Sequence, residues 1–251
     1  LTESNNDGNV LVVVPFVDNA ALTNRCVKSI LPTLGAGDTL MLFSNGSKPG
    51  NLARIKGLYS GSDKVDIRLR QNNDDGGMSI ANVYNFGLGK AFLGEGQTGD
   101  YDYIVLMHND CVVKYPLWLT EMKLAIENNA PTPTLVMTRS GTGSCSWEQD
   151  MKTPMAEPFI VLDGTAVKGY CMMLDKHTFD AIGYFDTQFG TMPDKDYMLR
   201  LFRNRPAGVV VVCRDVRVDH AGNKTFSRTM TRSQFTDAYH ADLRRLADKY
   251  K

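Results

Sequence analysis

The sequence predicts an α/β domain built on a mostly parallel sheet flanked by helices. Three observations carry that reading. Residues 10–16, Val-Leu-Val-Val-Val-Pro-Phe, form a continuous apolar run of the kind found in strands buried on both faces. Strand-like and helix-periodic segments then alternate at the spacing that right-handed parallel crossovers require. Finally, the apolar run 104–107 stops abruptly at His108-Asn109-Asp110, and Val112 and Val113 follow at once. That reads as a buried strand presenting an imidazole, an amide and a carboxylate at its carboxyl end, where open α/β sheets bind ligands.

Each element has a local reason. Pro15 falls at the end of the first strand, where its missing amide does no harm. Asp18 and Asn19 turn the chain into a helix on which Leu22, Cys26, Val27 and Ile30 recur at helical spacing until Pro32. A second strand over 39–43 turns at Ser44-Asn45-Gly46-Ser47 into a helix over 51–59. A third strand alternates over 65–69. Residues 71–77 are too polar and glycine-rich to pack, so they form a loop feeding a helix over 79–92. After the strand at 103–107, Pro116 opens a helix over 117–128 with Trp118, Met122, Ala125 and Ile126 on one face, closed by Pro131 and Pro133. Residues 139–157 lose all periodicity and read as a loop over a site, carrying Trp147 either as an exposed aromatic or as a core residue. Strands over 159–162 and 166–174, a helix over 176–182, a helix over 194–203 and a buried strand over 209–213 follow. Last comes an amphipathic helix with Phe235, Tyr239, Leu243, Leu246 and Tyr250 as its buried stripe.

Composition excludes several classes. The 251 residues hold 28 Lys plus Arg and 28 Asp plus Glu, and zero net charge argues against a surface built wholly for nucleic acid or acidic lipid. Cys26, Cys111, Cys145, Cys171 and Cys213 are odd in number and lack CxxC spacing, so neither a disulfide framework nor a zinc site is indicated. Reduced thiols fit a cytoplasmic protein, or the host cytoplasm for a viral one. No stretch approaches the roughly 20 apolar residues of a membrane span, and no signal segment opens the chain, which predicts a soluble protein. Residues 1–8 read as linker or disordered.

Two sets of side chains point to chemistry. His108 and Asp110 are alternate residues that can face the same way and share one divalent cation. Asp194 and Asp196 stand at the mouth of a helix, where the dipole and free amides favour carboxylates. Arg200, four residues on, can pair with Asp196. Asp194 has no such local partner.

Seven segments in order resemble family 2 glycosyltransferases of the GT-A type, over residues 9–222. Residues 12–19 resemble the opening strand and loop that hold the nucleotide base, and 43–47 the base-binding turn of the second strand. Asn85-Phe-Gly87 resembles the Asn-x-Gly signature, and His108-Asn109-Asp110 takes the place of the Asp-x-Asp metal motif. Lys168 to Leu174 with Gly183-Tyr-Phe-Asp186 resembles the acceptor-side strand and turn. Pro193-Asp194-Lys195-Asp196 matches the acidic pair, and Asp219-His220-Ala-Gly a late metal-binding His.

The resemblance implies a Rossmann-like GT-A fold with a nucleotide-sugar half over 9–113, an acceptor and catalytic half over 114–222 containing a smaller acceptor-side subregion, and a basic segment with the final helix over 223–251. It implies donor contacts at Pro15, Asp18, Ser44, Asn45, Asn85, Asn109, Lys168 and Gly169, with turn roles equally open to Asp18 and Ser44. Asp110 and His220 would hold a divalent metal, with His108 as a further ligand or a sugar contact. Asp194 would be the general base. Lys224, Arg228 and Arg232, four apart, either clamp a diphosphate or are simply solvated. Ser44 stands where the family often has an Asp, and His108 replaces the first Asp of the metal motif, which suits Mn²⁺ better than Mg²⁺.

The implied reaction moves a sugar from a nucleotide-diphosphate sugar to an acceptor hydroxyl with inversion. A glycan, a lipid-linked sugar, a protein or a modified DNA base could supply that hydroxyl. Two alternatives stay open. One is a nucleotidyltransferase, although no Gly-rich, Lys-containing phosphate loop follows the first strand; the other is a glycosyltransferase-like binding module without turnover.

Overall fold

The computed structural model describes residues 8–70, 79–94, 101–142, 149–152, 155, 157–162, 167–204, 206–222 and 231–251. The elements run β1 (Val10–Phe16), α1 (Ala20–Ile30), β2 (Thr39–Ser44), α2 (Pro49–Tyr59), β3 (Val65–Leu69), α3 (Ile80–Phe92), β4 (Tyr103–Met107), β5 (Cys111–Val113), α4 (Trp118–Glu127), β6 (Thr134–Arg139), β7 (Phe159–Leu162), β8 (Cys171–Asp175), α5 (Lys176–Ile182), α6 (Pro193–Arg203), β9 (Val209–His220) and α7 (Arg232–Lys249). The sheet order is β3-β2-β1-β4-β8-β6-β9-β5, with β7 also paired to β9. Of these nine strands among the described residues, β1, β2, β3, β4, β6 and β9 point one way and β5, β7 and β8 the other.

Period-2 side-chain alternation splits the core into two layers. Val10, Val12 and Val14 of β1 face α1, α2 and α4, where Ile30, Ile55, Trp118 and Met122 pack. Leu11 and Val13 face α3, α5 and α6, against Leu88, Phe179, Met198 and Leu201. Pro15 pairs with Phe43 of β2, while pairing with β4 has already ended at Val13 opposite Leu106, so no ladder bond to β4 is lost. Gly87 lets α3 lie close on the sheet, since a Cβ there would sit 2.8 Å from a Val13 methyl.

Residues 134–139 carry no strand signal of their own, following directly on Pro131 and Pro133, yet β6 joins β8 to β9 inside the sheet. Three expectations need correction. β9 continues past Cys213 to His220; its outer half sets Arg214, Asp215, Arg217 and Asp219 around apolar Val216 and Val218, which ends the apolar run that marks 209–213. β8 begins at Cys171, not at 166. On α7 only Leu246 of the expected stripe is buried, Phe235 and Tyr250 being half-buried, and Tyr239 and Leu243 each keep 38% exposure. The buried polar group on that helix is Asp242. The expectations for residues 1–7, the loop 71–77, Cys145, Trp147, Lys224 and Arg228 lie outside the described residues. Among the described residues no helix is long and apolar enough to cross a membrane.

Candidate active site

β4 ends where His108 donates its amide to the Tyr170 carbonyl at 2.9 Å, and the Cys111 amide returns to the His108 carbonyl at 3.2 Å. This tight turn holds the polar triplet between β4 and β5. β5 pairs antiparallel with the end of β9 in a register that sets Cys111 opposite His220, and the Ala221 amide donates to the Asp110 carbonyl at 3.1 Å. Sheet register, not sequence proximity, therefore brings His220 to Asp110. Their Nε2 and Oδ1 atoms are 3.3 Å apart, and both side chains are almost fully buried.

The imidazoles are fixed from several sides. His220 stacks on Tyr170 with centroids 4.7 Å apart and planes 10° apart, and meets the His108 ring edge-on at 5.4 Å. Tyr170 is anchored by its hydroxyl, which donates to the Thr138 carbonyl at 2.7 Å. The His220 amide donates to Ser140 Oγ at 3.1 Å. Burial and the neighbouring His220 push His108 down to about 4, although Asp110 and Asp194 pull the other way. His108 is thus neutral near pH 7, the form that can donate a lone pair.

His108, Asp110 and His220 each offer one donor atom, all within 4.8 Å of one another. Nitrogen and oxygen ligands about 2.1 Å from a single ion lie roughly 3 Å apart at neighbouring positions, so the 3.3 Å Asp110–His220 spacing fits. Two imidazoles and one carboxylate form a donor set suited to a divalent transition metal.

Asp194 is the second residue of α6 and remains partly exposed. Its Oδ2 accepts the Gly169 amide at 2.9 Å. The next residue, Tyr170, accepts the His108 amide and stacks on His220, so Asp194 is tied to the segment that fixes both imidazoles. Asp196, two residues on, is fully buried and bonded to Arg200 at 2.9 Å, Lys249 at 2.7 Å and the Tyr250 hydroxyl at 2.7 Å. That is a structural anchor, as its spacing to Arg200 suggests.

The remaining predicted residues divide by location. Pro15, Asp18, Ser44 and Asn45 gather at the carboxyl ends of β1 and β2. Asp18 and Asn19 both have φ of 50°, a conformation Asp and Asn tolerate better than other side chains. The Asp18 carboxylate accepts the Lys48 amide at 2.7 Å and Asn51 Nδ2 at 3.1 Å, tying the two loops together. Ser44 is buried in the ladder between Phe16 and Leu69, and the Asn45 amide donates to the Phe16 carbonyl at 2.8 Å. Asn109 donates to Thr23 Oγ1 on α1 at 3.1 Å. Asn85 engages the Phe185 backbone at both ends of its amide, at 2.7 and 2.9 Å.

Lys168 and Gly169 are positioned by a residue that the sequence does not signal. Gln149 accepts the Lys168 amide at 2.8 Å and donates to the Lys168 and Thr138 carbonyls at 3.0 and 3.2 Å. It lies in the aperiodic stretch and belongs to no local pattern. Tyr84 was also missed. It is buried on α3 with no hydrogen-bond partner for its hydroxyl among the described residues, and burial, with charges including Asp194 and Asp110, raises its pKa.

This architecture is the GT-A type glycosyltransferase fold. GalNAc-T7 bound to UDP, GalNAc and Mn²⁺ matches with a TM-score of 0.63 at 12% identity, over 85% of this chain and 44% of that one. The mannosyltransferase PcManGT from Pyrobaculum calidifontis, bound to GDP-Man and Mn²⁺, matches with a TM-score of 0.56 at 16% identity, over 84% of this chain and 56% of that one. The chain thus spans about half the length of these structures. No family model matches it, and no curated protein matches it in sequence.

Proposed function

We propose that this protein is a metal-dependent glycosyltransferase that moves a sugar from a nucleotide-diphosphate sugar to an acceptor hydroxyl with inversion. The observation that carries the reading is the convergence of His108, Asp110 and His220 at the carboxyl end of the sheet, where Asp194 accepts the amide of Gly169, the residue before the Tyr170 that stacks on His220. The fold likeness supports the nucleotide-sugar and metal parts of that reading, since the neighbours were solved with Mn²⁺ and with UDP or GDP-Man; inversion rests on the role given to Asp194 alone.

Asp110 and His220, with His108, would hold a divalent ion, Mn²⁺ in preference to Mg²⁺. Bound there, the ion supplies Lewis-acid stabilisation of charge on the leaving diphosphate. Asp194 accepts the acceptor proton as the hydroxyl oxygen attacks the anomeric carbon from the face opposite the diphosphate. The Gly169 amide holds Oδ2, so Oδ1 is the oxygen assigned to the acceptor proton. Pro15, Asp18, Ser44 and Asn45 line the end of the sheet assigned to the nucleotide, and Asn109, Lys168 and Gly169 the sugar side. Asn85 serves this arrangement by fixing the turn at Phe185. The acceptor is a glycan or another hydroxyl compound; nothing in the described residues supports a modified DNA base.

The test is a thermal-shift scan of nucleotide sugars with Mn²⁺, with Mg²⁺ and with EDTA, followed by NMR of the product's anomeric configuration. A metal-dependent shift with one donor and an inverted product are expected. No shift with any donor overturns the enzyme reading in favour of a binding module. A retained configuration overturns the role given to Asp194.

A further inference from the structure

We propose that Asp242, on the C-terminal helix α7, is a positioning residue for Asp194; this rests on the reading of Asp194 as the base. Helix α6 carries Asp194 but has no side-chain cap of its own, its preceding residue being Met192. Asp242, 1% exposed, reaches in from α7 instead. Its Oδ2 accepts the Thr191 amide at 2.6 Å, the Thr191 hydroxyl at 2.8 Å and the Met192 amide at 3.2 Å. Its Oδ1 accepts from Arg245 at 2.8 Å. One buried carboxylate thus holds the two residues that lead into α6, and Asp194 follows Met192 by two positions.

A second tie lies just beyond the base. Lys249 and the Tyr250 hydroxyl both bond Asp196 Oδ1 at 2.7 Å. The chain is therefore held by α7 on either side of Asp194. The apolar contribution of α7 is slight by comparison: Leu246 joins Phe189 and Met192 in a small cluster, with Tyr250 packed against it. The charged and hydrogen-bonded contacts are directional where apolar contact is not. A carboxylate base misplaced by about 1 Å can lose two orders of magnitude in rate, which gives this orientation a catalytic consequence.

The experiment compares Asp242→Ala, Asp242→Asn and Arg245→Ala for kcat, donor KM and nucleotide-sugar thermal shift. Asp242→Ala is expected to lower kcat about tenfold or more while donor KM and the donor-induced shift stay within about twofold. Asp242→Asn recovers part of that loss, because its carbonyl oxygen still accepts from the two amides, and Arg245→Ala, which leaves all three donors to Oδ2 in place, lowers kcat less than Asp242→Ala does. A folded Asp242→Ala protein with wild-type kcat overturns the proposal, as does a parallel loss of kcat and donor affinity. If Asp242→Ala does not fold, Thr191→Val removes one of the three donors to Oδ2, and a selective fall in kcat is again expected, with unchanged kcat overturning the proposal. Wild-type protein inactive with every donor sinks the proposed function instead. Hydrogen exchange then separates the two failures: Asp242→Ala, which leaves both amides without their acceptor, should speed exchange at Thr191 and Met192, and unchanged protection there in a folded Asp242→Ala protein overturns the anchoring role by itself.

Discussion

Gly169 and Asp194 meet so closely that the glycine has no room for a side chain. Its amide donates to Asp194 Oδ2 at 2.9 Å, and a Cβ added to it would stand 2.6 Å from the Asp194 Cβ. That nearest atom is the root of the aspartate side chain, so any relief must move the whole carboxylate. Gly169→Ala should therefore lower transfer about tenfold or more while leaving nucleotide-sugar binding nearly intact. Asp194→Asn, which keeps the shape and removes the base, should lower kcat about 10² to 10⁴-fold. Steady-state transfer and donor-induced thermal shift measured together check both, and wild-type turnover in Gly169→Ala contradicts the geometry.

The donor set at His108, Asp110 and His220 predicts a preference among ions. Two imidazole nitrogens favour a borderline transition metal over hard Mg²⁺. Mn²⁺ should raise the melting temperature more than Mg²⁺ at equal concentration, since a ligand held 100-fold above its Kd stabilises by about 2.7 kcal/mol. Asp110→Ala and His220→Ala should each abolish that difference. Electron paramagnetic resonance of bound Mn²⁺ gives a readout independent of turnover. Equal stabilisation by the two ions would refute the assignment.

Asn85 separates a structural role from a donor contact. Its amide makes two bonds to the Phe185 backbone, 100 residues away in sequence. Each such bond is worth about 1 kcal/mol, and more when a backbone group is left unpaired. Asn85→Ala should therefore destabilise by about 2–3 kcal/mol in urea melts. Reduced donor affinity at unchanged stability would instead make Asn85 a donor ligand.

Tyr84 leads to the opposite expectation. Its buried hydroxyl finds no partner among the described residues, and an unsatisfied buried polar group is destabilising by about 1–3 kcal/mol. Tyr84→Phe keeps the ring against Phe185, whose centroid is 5.6 Å away. Calorimetry should show an unchanged or higher melting temperature. A clear fall would mean that the hydroxyl is bonded.

How much of this was legible follows from the kinds of pattern that sequence carries. β1 and β4 read plainly because central parallel strands buried on both faces are unbroken apolar runs. β6 did not, since Thr134–Arg139 follows two prolines and leads into an aperiodic stretch. The outer half of β9 hid because its charges are paired within the strand, Arg217 with Asp219 at 2.8 Å and Arg214 with Asp215 at 2.9 Å, and paired charges look like loop in a hydropathy pattern. On α7 the helical period was visible but the docking face was not. That face is chosen by Asp242 and Lys249, whose partners lie on other elements. At the site, the residue types of the triplet and of His220 were visible, but their meeting depends on the β5–β9 register, and Gln149 acts through contacts that no local pattern encodes.

The attachment of α7 should also be visible in acid. Lys249 bridges Asp186, on the turn before α6, at 2.7 Å. Burial alone would raise the Asp186 pKa, but hydrogen bonds from Lys249 and the Gln188 amide outweigh it and hold the carboxyl below its ordinary value of 3.8. Between the folded value and 3.8 the unfolded chain binds the proton more readily, so stability rises with pH in that window. The contribution is complete above the ordinary value and lost as pH falls through the folded one, where both states are protonated. Asp186→Asn removes this titration. Urea melts between pH 5 and pH 2.5 should therefore show a steeper loss of stability in the wild type than in Asp186→Asn, with the largest difference below about pH 4. The folded lysine pKa is raised by the same contact, and by Asp196, against the lowering effect of burial, so Lys249→Ala should show the shallower acid slope of Asp186→Asn. If Lys249→Ala keeps the wild-type slope, the lysine is not what depresses Asp186, and the ionic attachment of α7 at that turn is wrong.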